Sequence, residues 1–200
     1  MSIKQGLILI PDITGYTAFV HHAKLEHSER TISNLLQSLI DTAPEWLDMC
    51  EIEGDAILFF KFGPSPDFQT LYAQIKRWFG AFHETLATMV HIDDCGCEAC
   101  QEMANLTLKV IGHYGEIGIL EVGDTRKLIG RDVILAHRLL KNQISEREYF
   151  LLTDILAESA KTTEWADIRL RTHEENYPVY GQVSLKVLDL APLLPNPAPN

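Results

Sequence analysis

Positive charge is scarce in this chain. Lys and Arg number 17 against 28 Asp and Glu, a formal net charge of −11, and no basic cluster stands out anywhere along the sequence. That balance argues against a nucleic acid held by phosphate neutralisation and against an anionic membrane surface. Long apolar runs are lacking too. The N-terminus carries one lysine and then the aliphatic stretch Leu7 to Ile10, too short for a signal-peptide core and far too short to span a bilayer, so a cytoplasmic protein is expected. Cysteine is sparse, with four in all and three crowded into "CGCEAC". In a reducing compartment these are expected as thiols or metal ligands rather than disulfides. Neither an internal repeat nor a linker breaks the 200 residues, and a hydrophobic content of 46% is enough for one sizeable core.

What is present alternates. Leu7 to Ile10 reads as a buried strand that ends where Pro11 removes a ladder donor and Asp12 follows. "SERTISNLLQSLIDTA" spaces Ile32, Leu35, Leu36, Leu39 and Ile40 as one apolar helical face. "EWLDMCEIEGDAILFFKFG" reads as a hairpin turning at Glu53-Gly54-Asp55. Asp67 then caps a long helix that buries Phe68, Leu71, Tyr72, Ile75, Phe79, Phe82 and Leu86. The cysteine segment, about residues 91–104, has no clear period. Beyond it "LTLKVIGHYGEIGILEV" suggests a strand, a glycine-marked bend and a second strand. A helix "RDVILAHRLLKN", a strand "YFLLT", a helix capped by Thr153 and two C-terminal strands complete the order, before a proline-rich tail over 191–200. The expectation is a single α+β domain over 1–190 with a ferredoxin-like βαββαβ core and a cysteine-rich insertion.

In such a sheet the first strand and the hairpin lie side by side, so Asp12 and Asp55 converge at one end. Two hard anionic ligands at strand ends suit Mg²⁺ or Mn²⁺, which favour oxygen donors and share substrate phosphates. The "TGYT" after Asp12 adds the backbone N–H groups of Gly15, Tyr16 and Thr17 at a helix start, a seat for a phosphate. Each aspartate alone would serve equally as a turn or cap residue. The pairing is what points to a site.

These stretches resemble a family. "PDITGYTAFV" is similar to the metal-binding strand-to-helix motif of class III nucleotidyl cyclases, and "EIEGDAILFF" to their metal-binding hairpin. "KVIGHYGEIGILEV" and "KLIGRDVILAHRLL" are similar to the strand and the arginine-bearing helix that follow. The resemblance spans about residues 5–155, apart from the cysteine segment. It implies two metal ions on Asp12, Asp55 and the Ile13 carbonyl, a nucleoside triphosphate cyclised by attack of its 3′-hydroxyl, and base-reading positions at Glu51 and Lys127. It also implies transition-state stabilisation by Arg138, a role suited to a permanently charged planar fork. Family sites form across a two-fold axis, so a homodimer is implied, with Arg138 supplied by the second chain.

The chain departs from this pattern. Ile134 stands where the family has a ribose-orienting asparagine, and an apolar side chain cannot bond a sugar hydroxyl. Lys127 stands where an acidic or small polar residue is usual. A phosphate-binding lysine near the C-terminal strands has only Lys186 as a counterpart, and strand alternation there also allows Lys186 to face solvent. Cys95, Cys97 and Cys100 either hold Zn²⁺, with His91 the nearest fourth ligand, or form a surface loop of free thiols. His113 in the glycine-rich bend is expected to be structural, and His137 to sit at the core edge. An active cyclase, a nucleotide-binding module without turnover and a zinc-stabilised interaction domain are the readings these residues leave open.

Overall fold

Every residue from Gly6 to Ile13 is buried, which is what a strand needs when helices cover both faces of its sheet. Leu7, Leu9 and Ile13 face one core while Ile8 and Ile10 face the other, as the two-residue period of a strand dictates. The computed structural model describes residues 3–23, 25–92, 102–123, 125–161 and 168–194. Its elements follow the order β1 (Lys4–Thr14), α1 (Tyr16–His22), α2 (Leu25–Asp41), β2 (Asp48–Glu53), β3 (Ala56–Phe62), α3 (Phe68–Ile92), β4 (Thr107–Val122) and β5 (Thr125–Ile129). Then come α4 (Arg131–Leu139), β6 (Tyr149–Thr153), α5 (Asp154–Ser159), β7 (Leu170–Tyr177), β8 (Gly181–Asp189) and a 3-10 turn at Ala191–Leu193.

The strands lie in the order β2-β3-β1-β4-β6-β8-β7, with β5 paired to β4 off that path. Among the described residues only β4 and β6 run parallel. The first four strands in sheet order, β2-β3-β1-β4, form the antiparallel split βαβ arrangement anticipated from the element pattern. α2 and α3 cover one face. Of the anticipated apolar residues of α3, all but the half-buried Tyr72 are buried there, together with Trp78, whose ring stacks on Phe59 at 5.2 Å and whose Nε1 donates to Leu39 O at 2.9 Å. Asp67 caps α3 by accepting from the Thr70 N–H at 2.8 Å, and Thr153 caps α5 by accepting from Leu156 N. The opposite face is covered by the nine-residue α4, through Val133, Leu135, Ala136 and Leu139.

Three local expectations are corrected. β1 does not end at Pro11. It runs on to Thr14 because β4 accompanies it throughout, while the β3 register skips Ile10 and Pro11, where a donor is missing. "TLKVIGHYGEIGILEV", Thr107–Val122, is one continuous strand of 16 residues rather than two around a bend. Its glycines make room instead of turning. A Cβ on Gly112 would meet Leu156 and Phe150 at under 3 Å, and one on Gly115 would collide with the Asp132 carboxylate. β5, unanticipated, is the return strand of the hairpin that β4 opens. The cysteine trio lies outside the described residues, as does the side chain of His91.

Candidate functional site

Register brings the two aspartates together. Asp12 lies opposite Ala56 on β3, and the next residue, Ile13, donates its N–H to Asp55 O at 3.1 Å, so the carboxylates leave neighbouring positions on adjacent strands. Gly54, with φ +64°, makes the β2–β3 turn that presents Asp55. On the other flank of β1, Asp12 faces Lys109 of β4. The Lys109 ammonium sits 3.3 Å from Asp12 Oδ1 and donates to Leu140 O at 3.1 Å, tying β1, β4 and the end of α4 into one corner.

Burial sets the electrostatics. Desolvation pushes the Asp12 carboxyl above the ordinary range, opposed by the adjacent Lys109 charge. Desolvation also raises Asp55, and repulsion from Asp12 raises it further. Two carboxylates that both resist ionisation in one cleft form a pair a bound cation would relieve.

The cleft around them measures about 870 Å³ and also borders Ile13, Gly15, Tyr16, Thr17, Ile134 and Arg138. Gly15 adopts φ +95° as the chain leaves β1, which only glycine enters without strain. α4 enters with Asp132 in its first turn and ends with His137 and Arg138, an arrangement that its dipole favours. The Asp132 carboxylate accepts the Glu116 N–H at 2.6 Å and pins that helix start against β4. The outward face then presents Ile134, 53% exposed, to the cleft. Arg138 is exposed there, and its guanidinium makes no hydrogen bond or ion pair among the described residues. His137 sits at the core edge, with Nδ1 3.3 Å from Glu53 Oε2.

Seven residues singled out from the sequence therefore border one cleft: Asp12, Ile13, Gly15, Tyr16, Thr17, Asp55 and Arg138. Arg138 borders it within a single chain. Glu51 and Lys127 do not; they pair with each other at 3.1 Å where β5 passes β2. Lys186 is far from it in the sheet order, on β8, where its ammonium lies 3.2 Å from Thr172 Oγ1 and 3.6 Å from Asp154 Oδ1. Lys109, Glu53, His137 and Lys141 border the cleft without having been singled out as site residues. Lys109 had a legible signal: a lone lysine between the buried residues Leu108 and Val110 of an apolar strand needs a partner. Among the described residues, no three His, Cys, Asp or Glu side chains are grouped to hold a metal, and no helix is long and apolar enough to cross a membrane.

Known proteins agree with this architecture. The guanylyl cyclase Cya2 superposes with a TM-score of 0.73 at 15% identity, covering 94% of this chain and 92% of that one. The adenylyl cyclase CyaB from P. aeruginosa superposes at 0.59 with 16% identity, covering 97% and 98%. The guanylate cyclase domain of RhGC from Catenaria anguillulae, solved in complex with GTP, does so at 0.61 with 15% identity, covering 94% and 98%. At such identities the likeness shows a shared cyclase-domain fold. In sequence, the uncharacterized protein Rv2561/Rv2562 of Mycobacterium tuberculosis is 30% identical over 161 residues, which are 80% of this chain and 74% of that protein. A family profile matches residues 32–149. The chain thus belongs to the family described as "Protein of unknown function (DUF2652)".

Proposed function

We propose that the Asp12–Asp55 cleft binds a nucleoside triphosphate together with Mg²⁺ or Mn²⁺. The observation that carries this reading is the convergence of a buried and a half-buried carboxylate, each raised in pKa, on one cleft with the unpaired cation Arg138. The donor set fits a hard cation. It is all oxygen, and two carboxylates with the Ile13 carbonyl leave coordination positions for water and phosphate oxygens, as Mg²⁺ prefers. When bound, such a metal would polarise the phosphate and activate a hydroxyl nucleophile.

The chain's own groups do the rest. Arg138 and Lys141 set positive charge on the wall beside α4, where phosphate oxygens need it. Lys109 already half-neutralises Asp12, so the net negative charge at the pair is less than that of two free carboxylates. Ile134 faces the cleft with hydrocarbon and leaves a ribose hydroxyl unbonded. These last two features favour binding over efficient turnover, and cyclisation to a 3′,5′-cyclic nucleotide is proposed as weak. The implied homodimer belongs to the same proposal.

The test is a thermal-shift series with Mn²⁺ and GTP or ATP, with pyrophosphate release measured in parallel. Mn²⁺-nucleotide should raise the melting temperature of the natural protein, and Asp55→Asn should abolish the increment. An undiminished increment in the variant would remove these carboxylates from the site.

A further inference from the structure

A second cavity of about 670 Å³ lies under α4, and it shares no lining residue with the Asp12–Asp55 cleft. Its walls come from β4, the start of α4, the start of α5 and β8. Ile129, Leu135, Ile155 and Val183 make it mainly apolar, and its size falls within the range of small-molecule pockets. A void of this kind would ordinarily close around its own side chains.

A buried polar group marks its inner end. His113 is 1% exposed, and its Nδ1 lies 2.9 Å from Thr153 Oγ1. Thr153 Oγ1 accepts from the Leu156 N–H and keeps both its proton and a second lone pair for Nδ1, so either ring nitrogen can carry the imidazole proton. Nε2 has no hydrogen-bond partner among the described residues, the nearest acceptor being Asp132 Oδ1 at 3.4 Å. A buried ring nitrogen without a full partner is costly. A ligand hydroxyl can pair with Nε2 in either tautomer, and an ammonium can donate to it when the proton sits on Nδ1, each also donating to Asp132.

Charge selects further. Glu116, Asp132 and Asp154 line the cavity against one guanidinium, Arg131, which lies over the Tyr180 ring at 5.3 Å. With Lys186 reaching Asp154 from outside, the balance is still negative. An anionic ligand is disfavoured, a nucleotide most of all.

We propose that this cavity is a second ligand site, which takes a small apolar-bodied molecule with a hydroxyl or protonated amine seated between His113 and Asp132. Cyclohexanol, cyclohexylmethylamine and cyclohexanecarboxylate are suitable probes of the full chain, read by NMR of the His113 imidazole. The first two should shift that resonance saturably, and the amine should bind about tenfold or more tighter than the carboxylate, a difference of about 1.4 kcal/mol. Ile155, 56% exposed at the mouth, can be enlarged with little effect on the core. Ile155→Trp should abolish the response and leave the Mn²⁺-nucleotide thermal shift intact. Glu116→Lys, at an exposed position, should narrow the preference for amine over carboxylate. No saturable shift with alcohol or amine, carboxylate binding as tight as the amine, undiminished binding in Ile155→Trp, or displacement of the probe by ATP would each overturn the proposal.

Discussion

Replacing Asp55 by Asn should make the ligand-free protein more stable. Asp55 is held half out of water at the tip of the β2–β3 hairpin. Burial first, and the charge of Asp12 second, lift its carboxyl above the ordinary aspartate value near 3.9. A folded-state pKa above the unfolded one contributes stability below the unfolded value, and that contribution is lost as pH rises through the folded value. At neutral pH the ionised Asp55 is therefore a cost. Asn removes the charge and keeps the shape. Asp55 is half-solvated and Lys109 offsets part of the Asp12 charge, so the gain is at the low end of site-charge removal, about 0.5–1 kcal/mol. For a domain of this size that is about 1–4 °C in Tm. The assay is thermal unfolding of both proteins without nucleotide or metal between pH 3.5 and 8. The two should coincide at the acid end and separate as pH rises, with the variant higher. A variant less stable at pH 7, or a gap that does not vary with pH, would refute the reasoning. The same substitution should lose the Mn²⁺-nucleotide response, the exchange of stability for function expected of a site residue.

Three further outcomes follow from the geometry and a fourth from the sequence. Ile134→Asn supplies the missing amide on an exposed helix position, and recovering one hydrogen bond worth about 1–3 kcal/mol should raise Mn²⁺-dependent cyclisation or pyrophosphate release about tenfold or more; a folded variant with no product would leave binding without turnover. Trp78→Ala should cost about 3–5 kcal/mol by denaturant titration, because the ring is fully buried and its N–H satisfies Leu39 O. Lys127→Ala should leave the denaturant midpoint almost unchanged, since its pair with Glu51 is solvated. If Cys95, Cys97 and Cys100 hold zinc, elemental analysis of purified protein should find near-stoichiometric Zn²⁺, while three freely titrating thiols would dismiss the site.

Local chemistry made much of this legible in the chain itself. The apolar face of α2, the Asp67 and Thr153 caps and the Glu53-Gly54-Asp55 turn each depend on residues within a few positions of one another, so spacing alone reveals them. Asp12 and Asp55 could be paired because each stands at the end of a strand whose neighbour the element order predicts. What depended on distant segments could not be read in this way. The glycines of β4 look like a bend in one dimension, and they become spacing for Phe150, Leu156 and Asp132 once β6, α5 and α4 arrive. Glu51 and Lys127 were placed at a site by order along the chain, and they satisfy each other because β5 folds back beside β2. Lys109 became the partner of Asp12 through the β1–β4 register, and the His113 cavity exists only where four separate elements fail to fill the space between them. Periodicity and capping act over a turn or two of chain, whereas charge pairing and voids are set by distances in space between residues tens of positions apart.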